Sequence, residues 1–139
     1  MIAVLDGGAV SALAPFDERA RARLRALRSE AEDLVVPAGV LAEGLLTGHP
    51  HSDFHVRRLL ELTRIADIDA GLGYAAGRLR TAVVAVSPAR PPSGVDALVA
   101  AVAVDQASGD DVVVMTSDVD DLARLLAEAE ARRVTIRRV

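Results

Sequence analysis

Apolar residues occur along this chain in short blocks that alternate with longer periodic stretches. Runs of consecutive apolar residues begin near positions 2, 34 and 112, and such runs are typical of strands buried on both faces. Between them, apolar residues recur three or four positions apart, as they do on one face of a helix. This alternation predicts an α/β fold: a three-layer α/β/α sandwich with a mostly parallel central sheet.

The predicted elements follow one another without a linker or an internal repeat, so residues 1–139 are expected to form a single domain. Strands are expected at 2–5, 34–36, 112–115 and 133–137, with a brief extended piece at 64–68. Helices are expected at 9–13, 17–29, 37–47, 52–62, 70–86, 95–107 and 119–130. Gly48 is expected to end the third helix, and Asp69 to cap the fifth. The helix at 95–107 is apolar almost all the way round and should be buried.

Composition narrows the possible functions. The chain has no cysteine, which argues against a disulfide framework and a thiolate zinc site. A net charge of −4 does not favour a protein that coats nucleic acid. Two Phe, one Tyr and no Trp suggest no base-stacking platform. All sixteen basic residues are Arg, which suits forked contacts to phosphate. Without a signal peptide or a membrane-spanning run, we expect a cytoplasmic protein.

Acidic residues follow two of the predicted core strands. Asp6 comes directly after Ile2-Ala3-Val4-Leu5, and Asp118 comes shortly after Val112-Val113-Val114, behind a Thr116-Ser117 pair. Ligands of open α/β sheets bind beyond the carboxyl ends of the strands. We therefore expect these two carboxylates to converge above one edge of the sheet.

Each candidate acid also has an ordinary structural explanation. Asp118 could be the N-cap of the last helix, with Asp121 completing a pair that resembles a capping box. Asp96, three residues after Ser93, could simply favour the positive end of its helix. Glu43 could be a surface residue, and Asp6 a turn residue.

Considered together, the acids predict a metal site. Asp96 shares a helix face with Val99, Ala100 and Ala103, so its carboxylate should point toward apolar surroundings. Carboxylates crowded into a partly desolvated place repel one another and tend to take up protons. A hard divalent cation removes that conflict, and an all-oxygen site favours Mg²⁺ or Mn²⁺. The usual chemistry of such a site is phosphoryl transfer.

The arrangement of these motifs resembles the PIN-domain ribonucleases, and more narrowly the VapC-type toxins of bacterial VapBC toxin–antitoxin modules. The resemblance covers nearly the whole chain, and Thr-Ser-Asp after a strand is its most specific segment. The motifs that carry it are Val4-Leu5-Asp6, Leu41-Ala42-Glu43, Val95-Asp96-Ala97-Leu98 and Thr116-Ser117-Asp118-Val119-Asp120-Asp121-Leu122.

The resemblance implies an endoribonuclease that depends on Mg²⁺ or Mn²⁺, is held inactive by a cognate VapB-type antitoxin and is commonly a homodimer. By position, Asp6, Glu43, Asp96 and Asp118 match the family's acidic quartet, and Asp6, Asp96 and Asp118 would hold the metal. Thr116 matches a hydroxyl residue that helps orient the metal shell, and Asp121 matches an accessory acid.

The sequence departs from the family pattern in two places. Family members often have Thr or Ser where Gly7 stands here, and many have a second acid where Pro92-Ser93-Gly94 stand. These departures leave open whether one metal or two would bind. They also keep a second hypothesis open, in which a catalytically weakened PIN-like domain acts only as a binding partner in a complex.

A cluster of histidines suggests a different metal site. His49, His51, Asp53 and His55 differ by one residue from the H-x-H-x-D-H run of metallo-β-lactamase-fold hydrolases. No downstream histidine completes such a site. A solvated loop followed by a helix start is the interpretation we adopt for this segment.

Overall fold

Five parallel strands form the centre of the protein. The computed structural model describes every residue from Met1 to Val139. The strands are β1 (Ile2–Leu5), β2 (Asp33–Pro37), β3 (Arg64–Ala66), β4 (Val112–Thr116) and β5 (Val134–Arg138). They lie in the order β3-β2-β1-β4-β5, and every neighbouring pair is parallel. The predicted α/β fold is confirmed, and its sheet is parallel throughout.

Helices flank the sheet in two groups. They are α1 (Gly7–Leu13), α2 (Glu18–Glu30), α3 (Pro50–Leu60), α4 (Ala70–Val86), α5 (Gly94–Gln106) and α6 (Val119–Glu128). Helix α1 packs on β1 and β4 and contacts α2 and α3, whereas α4, α5 and α6 pack on one another, with α5 against β1, β2 and β4. None of the helices combines the length and apolar character that crossing a membrane requires.

The core explains why the strands have continuous apolar sequences. Helices cover the sheet, so β1 and β4 are buried along almost their whole length, as expected for central parallel strands. The helix α5 is buried on several sides, as its sequence predicts. Val134 and Ile136 of the edge strand β5 are half-buried and pack against the core, which confirms the predicted inward face.

Helix capping also follows the sequence at Asp69. Its Oδ1 accepts a hydrogen bond of 2.8 Å from the backbone N–H of Leu72, in the first turn of α4. This bond satisfies one of the amides that the first turn of a helix leaves without a partner. The predicted start of this helix is confirmed.

The predicted helix at 37–47 is wrong in type and in length. The chain instead forms a 3₁₀ helix, Ala38–Glu43, that ends where Gly44 adopts a left-handed φ of 73°. A residue in this conformation cannot continue a right-handed helix, and glycine adopts it without steric cost. Glu43 is therefore the last residue of a short helix and does not lie in the middle of a longer one.

The histidine-rich segment is a loop and a helix start, as we predicted. Asp53 lies in the first turn of α3 and is buried. Its Oδ1 accepts a hydrogen bond of 2.8 Å from the Thr47 N–H, and its Oδ2 accepts one of 3.0 Å from the Gly48 N–H. The carboxylate therefore fixes the loop before α3.

Candidate active site

Asp6 occupies the turn between β1 and α1. Its side chain is only 7% exposed, and its Oδ1 accepts a hydrogen bond of 2.6 Å from the Ala9 N–H, which caps α1. Burial raises the pKa of Asp6, and the charge of Asp96 raises it further. Hydrogen bonding from the Thr116 hydroxyl and from the Ala9 amide opposes this rise in pKa. Asp6 therefore caps α1, and its ionised form is disfavoured by its surroundings.

Thr116 connects the ends of the two central strands. Leu5 of β1 lies in register with Met115 of β4, so Asp6 and Thr116 follow at the same level. The Thr116 side chain is fully buried, and its Oγ1 accepts a hydrogen bond of 2.8 Å from the Asp118 N–H. The same hydroxyl lowers the pKa of Asp6. One hydroxyl therefore interacts with both ends of the predicted acidic pair.

Glu43 reaches the site from the end of the 3₁₀ helix. Its carboxylate lies over Gly7, where a β-carbon on that glycine would overlap Oε2. Glu43 is an exposed residue, but partial burial of its carboxylate against Gly7 raises its pKa most, followed by the charges of Asp96 and Asp6, while the Gly7 amide lowers it. These shared effects place three carboxylates, those of Asp6, Glu43 and Asp96, within electrostatic reach of one another.

Asp96 serves as a helix cap and also acts on the site. Its Oδ2 accepts hydrogen bonds from Ser93 Oγ at 2.6 Å and Ser93 N at 3.1 Å, while Ser93 Oγ accepts one of 3.0 Å from the Asp96 N–H. This is a complete capping box at the start of α5. Its charge also raises the pKa of both Asp6 and Glu43. The capping explanation and the electrostatic one therefore both hold for this residue.

Asp118 and Asp121 are less closely tied to the other acids than Asp6, Glu43 and Asp96 are to one another. Asp118 is exposed and precedes α6, but its side chain makes no capping hydrogen bond. Asp121 forms an ion pair with Arg124, which also donates a hydrogen bond of 2.8 Å to the Arg90 carbonyl oxygen. The capping-box explanation for this pair is therefore wrong. Asp118 is linked to the site through its backbone N–H and Thr116, and Asp121 is paired with a cation.

The donors suit a hard cation although they do not enclose one. No group of three Asp, Glu or His side chains in the structure lies close enough together to hold a metal ion. All the available side-chain ligands are oxygens, which Mg²⁺ and Mn²⁺ prefer. Burial and the charge of Asp96 raise the pKa of both Asp6 and Glu43, and a positive ion would offset this cost of ionisation. Asp96 also keeps Oδ1 free of protein hydrogen bonds. The residues therefore have the ligand chemistry that a divalent cation prefers, although no three of them are gathered around one position.

The role of Gly7 could not be read from the sequence. In the sequence, a glycine next to an acid is unremarkable, and Glu43 lies 36 positions after Gly7. Only the fold shows that the missing side chain leaves room for a carboxylate. A departure from the family pattern at a site residue was the one available signal.

Comparison with solved structures identifies the fold. VapBC2 from Rickettsia felis, bound to a DNA fragment from its promoter, aligns with a TM-score of 0.71 at 17% identity over 100% of this chain and 99% of that one. DNA-bound VapBC from Salmonella typhimurium aligns with a TM-score of 0.69 at 16% identity, over 99% of this chain and 98% of that one. VapC20 of Mycobacterium tuberculosis, a toxin that cleaves the sarcin–ricin loop, aligns with a TM-score of 0.60 at 22% identity, over 87% of this chain and 93% of that one.

The chain has the PIN-like fold of the VapC toxins. The predicted resemblance is thereby confirmed at the level of the fold. No protein-family model matches the sequence, and a search of curated proteins gives no match. A PIN-like fold can carry different functions, so the activity has to be argued from the side chains at the carboxyl end of the sheet.

Proposed function

We propose that this protein is the toxin of a VapBC-type module, an endoribonuclease that uses Mg²⁺ or Mn²⁺ to hydrolyse RNA phosphodiesters. The observation that carries the proposal is the electrostatic coupling of Asp6, Glu43 and Asp96 at the carboxyl end of β1. The charge of Asp96 raises the pKa of both Asp6 and Glu43, and acids from such distant parts of the chain act on one another only if the fold gathers them. A fold shared with an RNA-cleaving toxin, VapC20, supports the same conclusion.

In the proposed mechanism, Asp6, Asp96 and Asp118 would hold the cation. When bound, the cation would lower the pKa of a water molecule and neutralise charge on the scissile phosphate. The Thr116 hydroxyl favours the ionised form of Asp6, which is the form that can bind a metal. Glu43 has a raised pKa and one of its oxygens over Gly7, so it is suited to accept a proton from the attacking water. Hydrolysis would leave a 3′-hydroxyl and a 5′-phosphate.

Titration with Mn²⁺ and an RNA cleavage assay test this proposal together. Wild-type protein is expected to bind Mn²⁺, to melt at a higher temperature with it, and to cleave RNA. Asp6→Asn is expected to lose Mn²⁺ binding and at least about a hundredfold in cleavage rate, because removing a charged group from such a site costs several kcal/mol of transition-state stabilisation.

Asp69→Asn is a matched control for this experiment. Asp69 caps α4 in the way that Asp6 caps α1, through a hydrogen bond to the third residue of the helix, but it lies outside the acidic cluster. Asparagine also caps helices well, so both variants should fold. Equal loss of Mn²⁺ binding in both variants would contradict the proposed site.

The second hypothesis, a PIN-like domain that only binds a partner, is favoured by one observation. No three acidic side chains enclose a metal site in the structure. This hypothesis predicts that wild-type protein neither binds Mn²⁺ nor cleaves RNA. The two hypotheses are therefore separated by measurements on the wild-type protein alone.

A VapB-type antitoxin and a second copy of the chain are the proposed protein partners. Two neighbours with this fold are VapBC complexes. Co-expression with the product of an adjacent small gene, followed by gel filtration of the complex, tests both partners. Suppression of RNA cleavage by that product would identify it as the antitoxin.

A further inference from the structure

Both phenylalanines of the chain lie in one surface patch with two histidines. The aromatic patch consists of Phe16, in the loop between α1 and α2, and His51, Phe54 and His55 of α3. The rings of Phe16 and His55 are stacked, with centroids 5.5 Å apart and an angle of 5° between their planes. Phe54 and His51 each meet His55 edge to face. Composition alone suggested no stacking platform, but the fold assembles one.

The patch is open to solvent and adjoins two recesses. Phe16 is 69% exposed and Phe54 is 54% exposed, which is unusual for large apolar side chains. The stacked Phe16–His55 pair separates a cavity of about 290 Å³, which Leu45, Thr47 and His51 also line, from one of about 130 Å³ on its other side. The larger cavity has room for a planar ring as well as water.

The charged groups at this patch favour an anionic ligand. The guanidinium of Arg21 lies 4.8 Å from the centre of the Phe16 ring, and that of Arg58 lies 6.0 Å from the centre of the Phe54 ring. Neither Arg21 nor Arg58 forms an ion pair with a carboxylate. No Asp or Glu lines either recess. Aromatic faces flanked by free arginines suit a base and its phosphate.

One residue, Leu45, borders both the larger cavity and the acidic site. This residue lines the cavity, and its Cδ2 lies 3.7 Å from the position of a β-carbon on Gly7. The same position on Gly7 is covered by the carboxylate of Glu43. The cavity that Phe16 lines and the acidic site therefore have a neighbouring residue in common.

We propose that the aromatic patch is a nucleotide subsite, where an unpaired RNA base extends the stack of the Phe16–His55 pair while Arg21 and Arg58 hold its phosphates. The inference rests on the proposed ribonuclease function and specifies the substrate as RNA with unpaired bases at this subsite. A base in a duplex is already stacked and cannot present its face to these rings. The subsite is therefore selective for single-stranded segments.

Fluorescence anisotropy with a labelled pool of random single-stranded RNA tests this subsite. All proteins carry Asp6→Asn, so that the RNA stays intact. Phe16→Ala is expected to weaken binding about tenfold, the scale of one lost stacking contact. Phe16→Tyr keeps a ring and should bind as the parent does. Tyr74→Ala, which removes an aromatic side chain that is 73% exposed on α4, is the matched control and should leave binding unchanged.

A second set of measurements separates this inference from the function on which it rests. In the active protein, Phe16→Ala should raise KM for RNA about tenfold and leave kcat within about twofold, because the ring binds substrate away from the reacting atoms. If wild-type protein cleaves no RNA, the ribonuclease proposal fails, and the anisotropy data alone still decide the subsite.

Unchanged RNA affinity in Phe16→Ala overturns the subsite. Equal affinity for duplex and single-stranded RNA also overturns it. Loss of a protein partner by Phe16→Ala with unchanged RNA binding would overturn it as well and would assign the patch to protein docking.

Discussion

The carboxylate of Glu43 occupies the space that a side chain on Gly7 would fill. In the sequence, Gly7 looks like the loss of a hydroxyl that related proteins often carry at this position. In the structure, the missing side chain lets an acid from the 3₁₀ helix approach the first turn of α1, directly beside Asp6. The departure from the family pattern and the position of Glu43 are therefore one structural feature.

Gly7→Ala is predicted to inactivate the protein without unfolding it. The new methyl group would overlap Oε2 of Glu43, which is the far end of an exposed and flexible side chain. The side chain can swing away, so we expect a change in the free energy of unfolding within about 0.5 kcal/mol. Displacing an acid by this much should reduce RNA cleavage at least about tenfold. Chemical denaturation and initial rates measure the two effects.

The control for this variant is Gly73→Ala in α4. Gly73 also lies in the first turns of a helix, but a β-carbon there meets no atom within 4 Å. That substitution should stabilise the protein by about 0.5–1 kcal/mol and leave cleavage unchanged. The double variant Gly7→Ala/Glu43→Ala should be no less active than Glu43→Ala alone, because both changes act through one carboxylate. An additive loss would contradict this coupling.

Asp6→Asn is predicted to stabilise the metal-free protein at pH 7 by about 1 kcal/mol. Burial and the charge of Asp96 raise the pKa of Asp6 in the folded state. Between the unfolded and the folded pKa, the folded protein binds more protons, so its stability falls as the pH rises through that interval. Asparagine keeps the cap and removes the charge. The stability difference between variant and wild type should therefore appear above about pH 4, grow with pH and become constant above the folded-state pKa of Asp6. Urea denaturation at several pH values measures it, and a variant less stable at pH 7 would contradict it.

Thr116→Val is predicted to destabilise the protein by about 0.5–1.5 kcal/mol, because the partly buried hydrogen bond from the Asp118 N–H to the Thr116 hydroxyl is lost. The substitution also removes a hydrogen bond that lowers the pKa of Asp6, so Mn²⁺ should bind more weakly at pH 6 than it does to wild type. Thr116→Ser restores the hydroxyl and should recover most of the Mn²⁺ affinity. Calorimetric titration of the three proteins checks the order, and weak binding by the serine variant would argue for a packing effect.

Asp53→Asn is predicted to loosen the loop that carries Leu45 and Thr47. Hydrogen bonds from the Thr47 and Gly48 amides lower the pKa of the Asp53 carboxylate. Their contribution to stability is therefore present at neutral pH and is lost as the pH falls below the ordinary carboxyl range. The variant should melt at a lower temperature than wild type at pH 7, and the difference should shrink as the pH falls through the lowered pKa of Asp53. A difference that stays constant over the whole acid range would exclude ionisation of Asp53 as its cause.

The sequence predicted those parts of the molecule that local pattern determines. Continuous apolar runs predicted β1 and β4. Leu5 of β1 is paired with Met115 of β4, so the next residues along the two parallel strands, Asp6 and Thr116, lie at the same end of the sheet. The helix after Asp69 was predicted from its cap and confirmed. In each case a short stretch of chain carries the whole signal.

Features formed by contacts between distant segments could not be predicted in this way. The 3₁₀ helix that ends at Glu43 was read as a longer α-helix, because the left-handed φ of Gly44 leaves little trace in an apolar stretch. The stacking of Phe16 on His55 joins a loop and a helix that are not adjacent in sequence. Both features depend on how α1, α3 and the 3₁₀ helix pack together.

The strand order has a consequence for the time at which activity arises during synthesis. Strand β1 leaves the ribosome first, but one of its two hydrogen-bonded neighbours is β4, which ends at Thr116 near the other end of the chain. A nascent polypeptide shorter than this has Asp6 and Glu43 but lacks the hydroxyl that joins the strand ends. On the proposed function, nuclease activity would therefore arise only after Thr116 has been synthesised.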